Sequence, residues 1–550
     1  MEWLRLSNKW MATVASMWIQ FSIGSYTFGV YSSVLKSSQG YDQSTLETVA
    51  VFRDIGSSAG VLSGLLYTAV THSNSYSGFC GPWLVHLAGE IQNFLGNFLT
   101  WAAVVGLIKR PPVPLMCLFM FFSSHSMPFF NTANIVSGVQ NFPDYSGTIV
   151  GIMKGCTGIS GAILIQAYNT FNKGDPSTFL LMLALWPTFV SLVLMLLVRN
   201  YKANTSDDEK YLNGFSALAL IIAGYLMIMI ILENIFSLPL WARIFSFVLL
   251  LLLLASPLGI AIKAQKEDSK RLVETLSFES NTSMENPKSV CSLSDSFVAE
   301  DLAYHELPSG EGQVNAALDD TILFDEEGGM NLLQAMCTVN FWLLFIAMVC
   351  GMGSTQAVLN NLSQIGQSLN YTTVEVNNFV SLWSIWNCLG RVGVGYLSDY
   401  LLHTRGLARP LLMAITLATI GIGNIVIASG FPGTLYVGSI IMGICDGSQW
   451  SLMPTITSDL FGVRHMGTIF NTIGIACPLG SYIFSVRVIG YIYDKEACGD
   501  DHSCFGARCF MLSFFIMASL AFLGFLFVVA LFQRSKSFYM LRRLKHSLKR

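Results

Sequence analysis

The sequence is poor in charged residues and lacks the short motifs that mark common enzymes. Charged side chains make up 12% of its 550 residues, about half the fraction found in a typical soluble domain. No G-x-S-x-G elbow, Walker phosphate loop or His-Glu-x-x-His pattern occurs in it. We therefore expect no enzymatic activity and no ATP drive within the chain. A net charge of −3 without a basic patch also argues against a nucleic-acid partner.

Cysteine and histidine are not grouped with the spacing of a metal site. Most of the 12 cysteines lie inside apolar runs, where a thiol behaves as a small hydrophobic side chain. We expect neither a metal nor any other cofactor. Cys498 and Cys504 share one polar loop, and they could form a disulfide if that loop faces an oxidising compartment.

Long apolar runs dominate what is present. Hydrophobic residues make up 53% of the chain, and the mean hydropathy is +0.54. A single soluble core cannot hide this much apolar surface, whereas a run of about 20 apolar residues can cross a bilayer as a helix. The sequence therefore predicts an all-α polytopic transmembrane bundle of about 12–14 helices. The spans are predicted at 10–35, 46–70, 83–108, 113–139, 147–168, 177–198, 215–234, 243–263, 340–362, 374–398, 410–430, 434–456, 466–492 and 508–533.

Lysine and arginine near the ends of the spans set the expected orientation. Arg5 and Lys9 precede the first span, and the basic tail 534–550 follows the last. Because cytoplasmic loops carry an excess of these residues, both termini are expected in the cytoplasm. The first apolar run is too long for a cleaved signal. We expect an integral multi-pass protein of the plasma membrane or the vacuole.

The spans fall into two groups of six with an insertion between them. Gly147-Thr148 and Gly467-Thr468 open the fifth span of each group, which indicates an internal repeat. Carriers built from two related halves rock them around a solute site near the middle of the membrane. The predicted units are an N-terminal half at 1–200, an extra helix pair at 201–263, an acidic disordered cytoplasmic linker at 264–333, a C-terminal half at 334–533 and the basic cytoplasmic tail at 534–550.

The clearest local signature closes the second span of the C-terminal half. It runs from Gly390 to Asp399, with Arg405 and Arg409 shortly after. Gly393 and Gly395 would let a neighbouring helix approach closely. Asp399, at the cytoplasmic end of the helix, could pair with basic groups in one conformation and lose them in another, which would make it part of a gate. The alternative is a plain helix end with interfacial charges.

This signature resembles the loop motif between the second and third helices of a half in the major facilitator superfamily. The resemblance is closer to the plant nodulin-like branch, the proteins related to nuclear fusion defective, and it covers nearly the whole chain. It implies a fold of two helical halves and a carrier mechanism. The branch is similar to oxalate/formate and monocarboxylate carriers. The segments that carry the resemblance, besides the signature, are 5–10, 130–133, 139–143, 467–471 and 484–491.

Arg391, Lys154 and Asn387 are candidates for binding a solute. Arg391 lies eight residues before Asp399, about 12 Å deeper along a helix, and its planar guanidinium matches a carboxylate. Lys154 lies in a glycine-rich span of the other half, so the two cations would suit an anionic solute. The monocarboxylate carriers that resemble this region place an aspartate one turn before the arginine, where this chain has Asn387. The alternative for Arg391 is a structural ion pair inside the bundle.

His125 is the fourth solute-binding candidate, and several other charges fall within predicted spans. His125 lies near Pro128, which frees a backbone carbonyl group for a cavity, although a hydrogen-bonded packing residue is the alternative. Glu90 and Asp446 are candidates for carrying a coupled proton, because burial disfavours a charged carboxylate. Glu90 could instead form a salt bridge with Lys154. Further buried charges are predicted at Arg53, Asp54 and Arg487, and the adjacent pair Arg53 and Asp54 should each find a partner elsewhere.

These features predict a secondary transporter that moves a small solute by alternating access. The solute is a carboxylate if Lys154 and Arg391 bind it. The transporter's expected partners are the lipid bilayer, the solute and a coupled proton, and we expect it to be a monomer. The alternative is a non-transporting receptor or scaffold that signals through 264–333. A channel is less favoured, because no filter-like segment occurs. A cavity between the halves would favour the transporter, and a solid bundle would favour the scaffold.

Overall fold

The computed structural model describes residues 8–25, 27–71, 81–171, 176–201, 208–236, 239–284, 329–431, 433–496 and 504–549. Helices form nearly all of the structure within these ranges. They are α1 Lys9–Ser22, α2 Phe28–Gln39, α3 Gln43–Ser58, α4 Val61–Thr71, α5 Trp83–Val105, α6 Val113–Asn141, α7 Ser146–Phe171, α8 Pro176–Leu194, α9 Asp208–Ile235, α10 Leu240–Met284, α11 Leu332–Met336, α12 Val339–Ser368, α13 Thr373–Arg405, α14 Arg409–Ala428, α15 Thr434–Phe461, α16 Met466–Gly474, α17 Ala476–Tyr482, α18 Tyr491–Glu496 and α19 Arg508–Lys549. Short 3-10 helices lie at Pro143–Tyr145 and Met195–Leu197, and a π-helix lies at Ile483–Gly490.

The predicted all-α membrane bundle is confirmed. By length and composition, ten helical segments within the described ranges can cross a membrane. Helices occupy the other predicted spans as well, but these helices are broken or more polar. Among them, α5, α13 and α15 carry Glu90, Arg391 and Asp446, so the polar spans are the ones that bear most of the candidate residues.

The first predicted span, 10–35, forms two helices. Gly24 lies between α1 and α2 with φ +74, a left-handed conformation that glycine adopts without steric cost. A Cβ atom there would lie 2.7 Å from the Leu183 side chain and 2.8 Å from that of Leu164. The break therefore belongs to a tight contact with α7 and α8.

Helix α10 continues through Met284, beyond the end predicted at 263. The added residues include lysine, glutamate, glutamine, arginine and leucine, which favour helix, so the first part of the predicted linker extends a span. Its part at 285–328 lies outside the described residues. The basic tail likewise continues α19 as far as Lys549. Cys504 forms a disulfide with Cys509, with Cα atoms 5.9 Å apart, which corrects the pairing considered with Cys498.

Two halves meet along two related seams. Helices α1–α8 form the N-terminal half and α11–α19 the C-terminal half, with α7 against α13 and α4 against α16. The repeated Gly-Thr pair lies in both seams: Gly147 meets Gly395, and a Cβ atom on Gly64 would lie 2.2 Å from the nitrogen of Thr468. The hairpin of α9 and α10 packs against α1 and α7 and also reaches α13.

Candidate functional site

Glycines along α7 let α13 approach it closely. A Cβ atom on Gly151 would lie 2.7 Å from the carbonyl oxygen of Arg391, and one on Gly395 would lie 2.5 Å from that of Gly147. Residues four apart share a helix face, and small residues at this spacing are common where membrane helices pack closely. The close approach expected of Gly393 and Gly395 occurs at Gly395, whereas a Cβ atom on Gly393 would meet nothing within 4 Å.

Asp399 links the halves at one end of the bundle, which we call the gate end. One carboxylate oxygen accepts hydrogen bonds from the Thr148 nitrogen at 2.6 Å and the Thr148 hydroxyl at 2.7 Å. The other accepts from the Gly147 nitrogen at 3.1 Å and forms an ion pair with Arg409. Because the first amides of α7 lack partners within their own helix, the start of that helix favours an anion.

The arginine paired with Asp399 is Arg409, which corrects the assignment of Arg405 to the gate. Arg405 is exposed, and only its carbonyl oxygen is contacted there, by Arg543 at 3.5 Å. Arg405 lies at the last turn of α13, whereas Arg409 begins α14 and is fully buried. The Arg409 guanidinium can therefore bridge two buried carboxylates, those of Asp399 and Asp459.

The sequence did not identify Asp459 and Arg542 as members of this network. Asp459, at the end of α15, also pairs with Arg542 and accepts a 2.9 Å hydrogen bond from the Tyr539 hydroxyl. Arg542 donates in turn to the carbonyl oxygen of Pro143 in the N-terminal half, at 2.9 Å. The basic tail of α19 thus belongs to the same network, and only the position of Asp459 beside the repeated Gly-Thr segment could have pointed to it.

Replacing Gly395 with valine should hold the gate end open, because the new side chain would collide with the backbone of α7. Cys388 is buried in this seam, where its Sγ would lie 3.6 Å from a Cβ atom on Gly155. We expect a membrane-impermeant thiol reagent to modify Cys388 at least about tenfold faster in G395V, as a shift of about 1.4 kcal/mol would produce. Site-resolved mass spectrometry measures this, and G393V, at the open position, should react like the natural protein.

Lys154 and Arg391 meet from opposite halves at the ring of Trp450. Lys154 Nζ lies 4.9 Å from the ring centroid, and Arg391 Cζ lies 6.0 Å from it. Arg391 also donates a 2.7 Å hydrogen bond to the carbonyl oxygen of Lys154. Both residues are 4% exposed. Among the ion pairs of the described residues none involves the Lys154 ammonium, so the salt bridge considered with Glu90 does not form there.

Asp446 lies beside this pair of cations. Its carboxylate accepts hydrogen bonds from Thr355 at 2.7 Å and from the Asn387 amide at 2.5 Å. Arg391 is within electrostatic range of it. Asn387 lies one turn before Arg391, and the acid that it contacts, Asp446, comes from α15.

A cavity of ≈ 300 Å³ lies between the halves. Arg53, Gln356 and Asn360 line it, and we call the end of the bundle where they lie the cavity end. Its wall also includes Gly158, where a Cβ atom would lie 3.6 Å from Arg391 Nη1 and 3.7 Å from Asn387 Oδ1. Gly158 thus lies between the cavity and Arg391, which does not itself line the cavity.

Unpartnered polar atoms lie along the same wall. Trp383 lines the cavity, and its indole nitrogen is buried without a hydrogen-bond partner within the described ranges; the same holds for Asn387 Oδ1, which is 3.7 Å from a Cβ atom on Gly158. Buried polar groups normally find partners. These two atoms are exceptions to that rule.

His125 and Glu90 lie elsewhere, inside the N-terminal half. The ring nitrogens of His125 lie 2.5 Å from Gln92 Oε1 and 2.9 Å from the carbonyl oxygen of Ala59. These contacts match the packing alternative rather than solute binding. Glu90 faces Thr188 on α8, and its helix α5 packs between α6 and α8.

The expectations for the remaining charges are corrected. Arg53 pairs with its neighbour Asp54 at 2.8 Å, although each was expected to pair elsewhere. Their side chains are 27% and 49% exposed, because they lie near the cavity mouth, where a long guanidinium side chain can fold back onto the adjacent carboxylate. Arg487 is exposed rather than buried and lies in the π-helix.

Two family models match the chain, one in each half. The model described as Nodulin-like matches residues 9–262, and the one described as NFD4, C-terminal domain, matches residues 322–541. The Arabidopsis thaliana protein NUCLEAR FUSION DEFECTIVE 4 is 26% identical over 97% of this chain and 90% of its own length. The Probable transporter MCH1 of Candida albicans is 28% identical over 29% of this chain and 33% of its own length.

A solved structure shows the same fold. The proton:xylose symporter XylE, a major facilitator superfamily protein bound to 6-bromo-6-deoxy-D-glucose, aligns with a TM-score of 0.51, 11% sequence identity and 94% coverage of both chains. At this identity the likeness concerns the arrangement of helices, and the site must be argued from the residues of this chain.

Proposed function

Since the chain belongs to the nodulin-like branch of the major facilitator superfamily, a fold of membrane transporters, we propose that it carries a small carboxylate by alternating access. The observation that carries this proposal is the meeting of Lys154 and Arg391, one from each half, where Arg391 lies next to Gly158 of the cavity lining. Two buried cations side by side repel each other, and buried charge is costly in a membrane protein. A solute carboxylate between them would offset that cost and attract both halves.

The arrangement of the two ends supports a carrier cycle. The halves are joined at the gate end by the Asp399 network and separated by the cavity at the other end. We propose that the gate end is cytoplasmic, as its lysines and arginines indicate, and that the structure is therefore an outward-facing state. In the opposite state, Asp399 would release the start of α7 and the cavity end would close. A cavity of this kind supports a carrier rather than a non-transporting scaffold.

An uptake screen in proteoliposomes tests the proposed function. We expect at least one monocarboxylate to be taken up about tenfold faster than its uncharged amide analogue, since a contact with a charged group contributes about 1.5 kcal/mol or more. Empty liposomes provide the background. Equal uptake of acids and amides would contradict an anion site, and uptake of no solute would contradict the carrier proposal itself.

We further propose that Asp446 takes up the coupled proton. It contacts Asn387 and lies within electrostatic range of Arg391, so its protonation would change the field that the solute meets. Glu90 lies outside this cluster, which makes it the weaker candidate. A neutral Asp446 would leave Arg391 with more positive charge to offer the solute.

Replacing Asp446 with asparagine should abolish the acceleration of carboxylate uptake by external acid. The natural protein should take up the solute several-fold faster at pH 5.5 than at pH 7.5, about the range over which a buried carboxyl group can titrate. D446N should show the same rate at both values, and E90Q should keep the acceleration. If E90Q loses the pH response and D446N keeps it, the two assignments must be exchanged.

A further inference from the structure

The hairpin of α9 and α10 forms a third wall of the cavity. Leu226, Met229, Ile230 and Glu233 of α9 line the cavity together with residues of both halves. Residues at this spacing lie on one face of a helix. A helix pair outside the plan of six plus six spans therefore reaches the space that a solute would occupy.

Hydrogen bonds tie the hairpin to α7 near the cavity. The Gln166 amide donates to the Tyr225 hydroxyl and to the Ser246 hydroxyl, each at 3.3 Å. Asn169 accepts a 3.0 Å hydrogen bond from Arg243 at its carbonyl oxygen and donates one of 3.3 Å to Glu233. These contacts hold α9 and α10 against the N-terminal half at the level of the cavity.

Further contacts fix the hairpin to the same half along α1. Trp18 donates to the carbonyl oxygen of Leu254 at 2.7 Å, and Trp10 donates to the Asp268 carboxylate at 2.7 Å. Lys9 pairs with Asp208 at 2.6 Å. The Nodulin-like family model also spans the N-terminal half and the hairpin together. The hairpin and the N-terminal half can therefore move as one body, with α9 sliding against α13.

We propose that the cavity-lining face of α9, from Leu226 to Glu233, selects which solutes the carrier admits and moves with the N-terminal half, an inference that rests on the proposed function. We call this face the selectivity wall. Met229 limits the size of the solute that the cavity admits. Glu233 is the acidic residue of the cavity lining, so it repels a second carboxylate on a solute whose first carboxylate is held by Lys154 and Arg391. The wall therefore selects monocarboxylates over dicarboxylates.

Thiol labelling tests the position of the wall without requiring transport. M229C and I228C are made as separate variants in lipid nanodiscs and place cysteines at neighbouring positions. Ile228 is 55% exposed on the outside of the bundle, whereas Met229 is 8% exposed. A charged, membrane-impermeant thiol reagent should modify M229C at least about tenfold faster than I228C, because lipid keeps a thiol protonated and out of reach. Equal rates, or no reaction at M229C, would overturn the wall.

Competition uptake tests the selectivity. E233Q should raise the ratio of dicarboxylate to monocarboxylate uptake about fivefold or more, by removing a like charge from the cavity, whereas E267Q, an acid of α10 paired with Lys210, should leave the ratio unchanged. An unchanged ratio in E233Q would overturn the charge selection. Labelling of M229C together with no carboxylate uptake by the natural protein would overturn the proposed function and leave the wall in place.

Discussion

Replacing Arg391 with glutamine is expected to lower carboxylate uptake into proteoliposomes about 100-fold, since a hydrogen bond to a charged group contributes up to about 3 kcal/mol. The guanidinium lies against the wall of the cavity and shares Trp450 with Lys154. Glutamine keeps a donor for the carbonyl oxygen of Lys154 but offers the solute no positive charge. The loss should therefore appear in carboxylate uptake rather than in folding.

Two further variants separate charge from geometry. R391K keeps the charge but not the planar pair of donors, so we expect a loss of about tenfold. R53Q removes an arginine that lines the cavity but already pairs with Asp54, and uptake should fall by less than about threefold, as for a partly exposed ion pair. Thermal unfolding in detergent checks that each variant is folded. A folded R391Q that transports every carboxylate at the natural rate would remove Arg391 from the site.

Replacing Asp399 with asparagine is expected to open the gate end and slow transport at least about tenfold. The change removes the anion at the start of α7. It also leaves Asp459 as the remaining carboxylate partner of the fully buried Arg409 in the described network. Breaking a buried ion pair costs about 3–5 kcal/mol, which far exceeds the few kcal/mol that separate two conformations of a protein. The population should therefore shift to the state in which the halves part at this end.

The buried thiol of Cys388 reports this shift. A membrane-impermeant reagent should modify Cys388 at least about 100-fold faster in D399N, as a change of about 2.7 kcal/mol would produce. D144N, at an acid just before α7 that takes no part in the network, should react like the natural protein. Unchanged labelling of Cys388 in D399N would show that this carboxylate does not hold the gate end closed.

The sequence predicted most of the fold because lipid imposes a simple rule on each span. The lengths of the apolar runs located the ten segments of the described residues that can cross a membrane, and the repeated Gly147-Thr148 and Gly467-Thr468 pairs marked both seams. The break at Gly24 was missed, because a lone glycine inside an apolar run does not reveal which backbone conformation it adopts. The continuation of α10 was missed because the start of the polar sequence after residue 263 was taken as the end of the helix.

The candidate site was predicted in part, and its failures have a common cause. Arg391 and Lys154 stood out because charge within an apolar span requires an inward-facing role. The partners of charges were poorly predicted, as at Arg53 with Asp54 and at Asp399 with Arg409. Which charges pair depends on how helices distant in sequence, or successive turns of the chain, are placed against each other. A single sequence does not specify that placement.

A double-mutant cycle on Lys154 and Arg391 tests most directly whether cations from the two halves bind one carboxylate. Uptake is measured for the natural protein, K154Q, R391Q and the double variant, with one monocarboxylate and its amide analogue. We predict that the double variant transports the acid about as poorly as R391Q alone, a coupling of about 1–3 kcal/mol between the two positions, and that the amide shows no coupling. Fully additive losses, or the same losses for acid and amide, would contradict a shared carboxylate site.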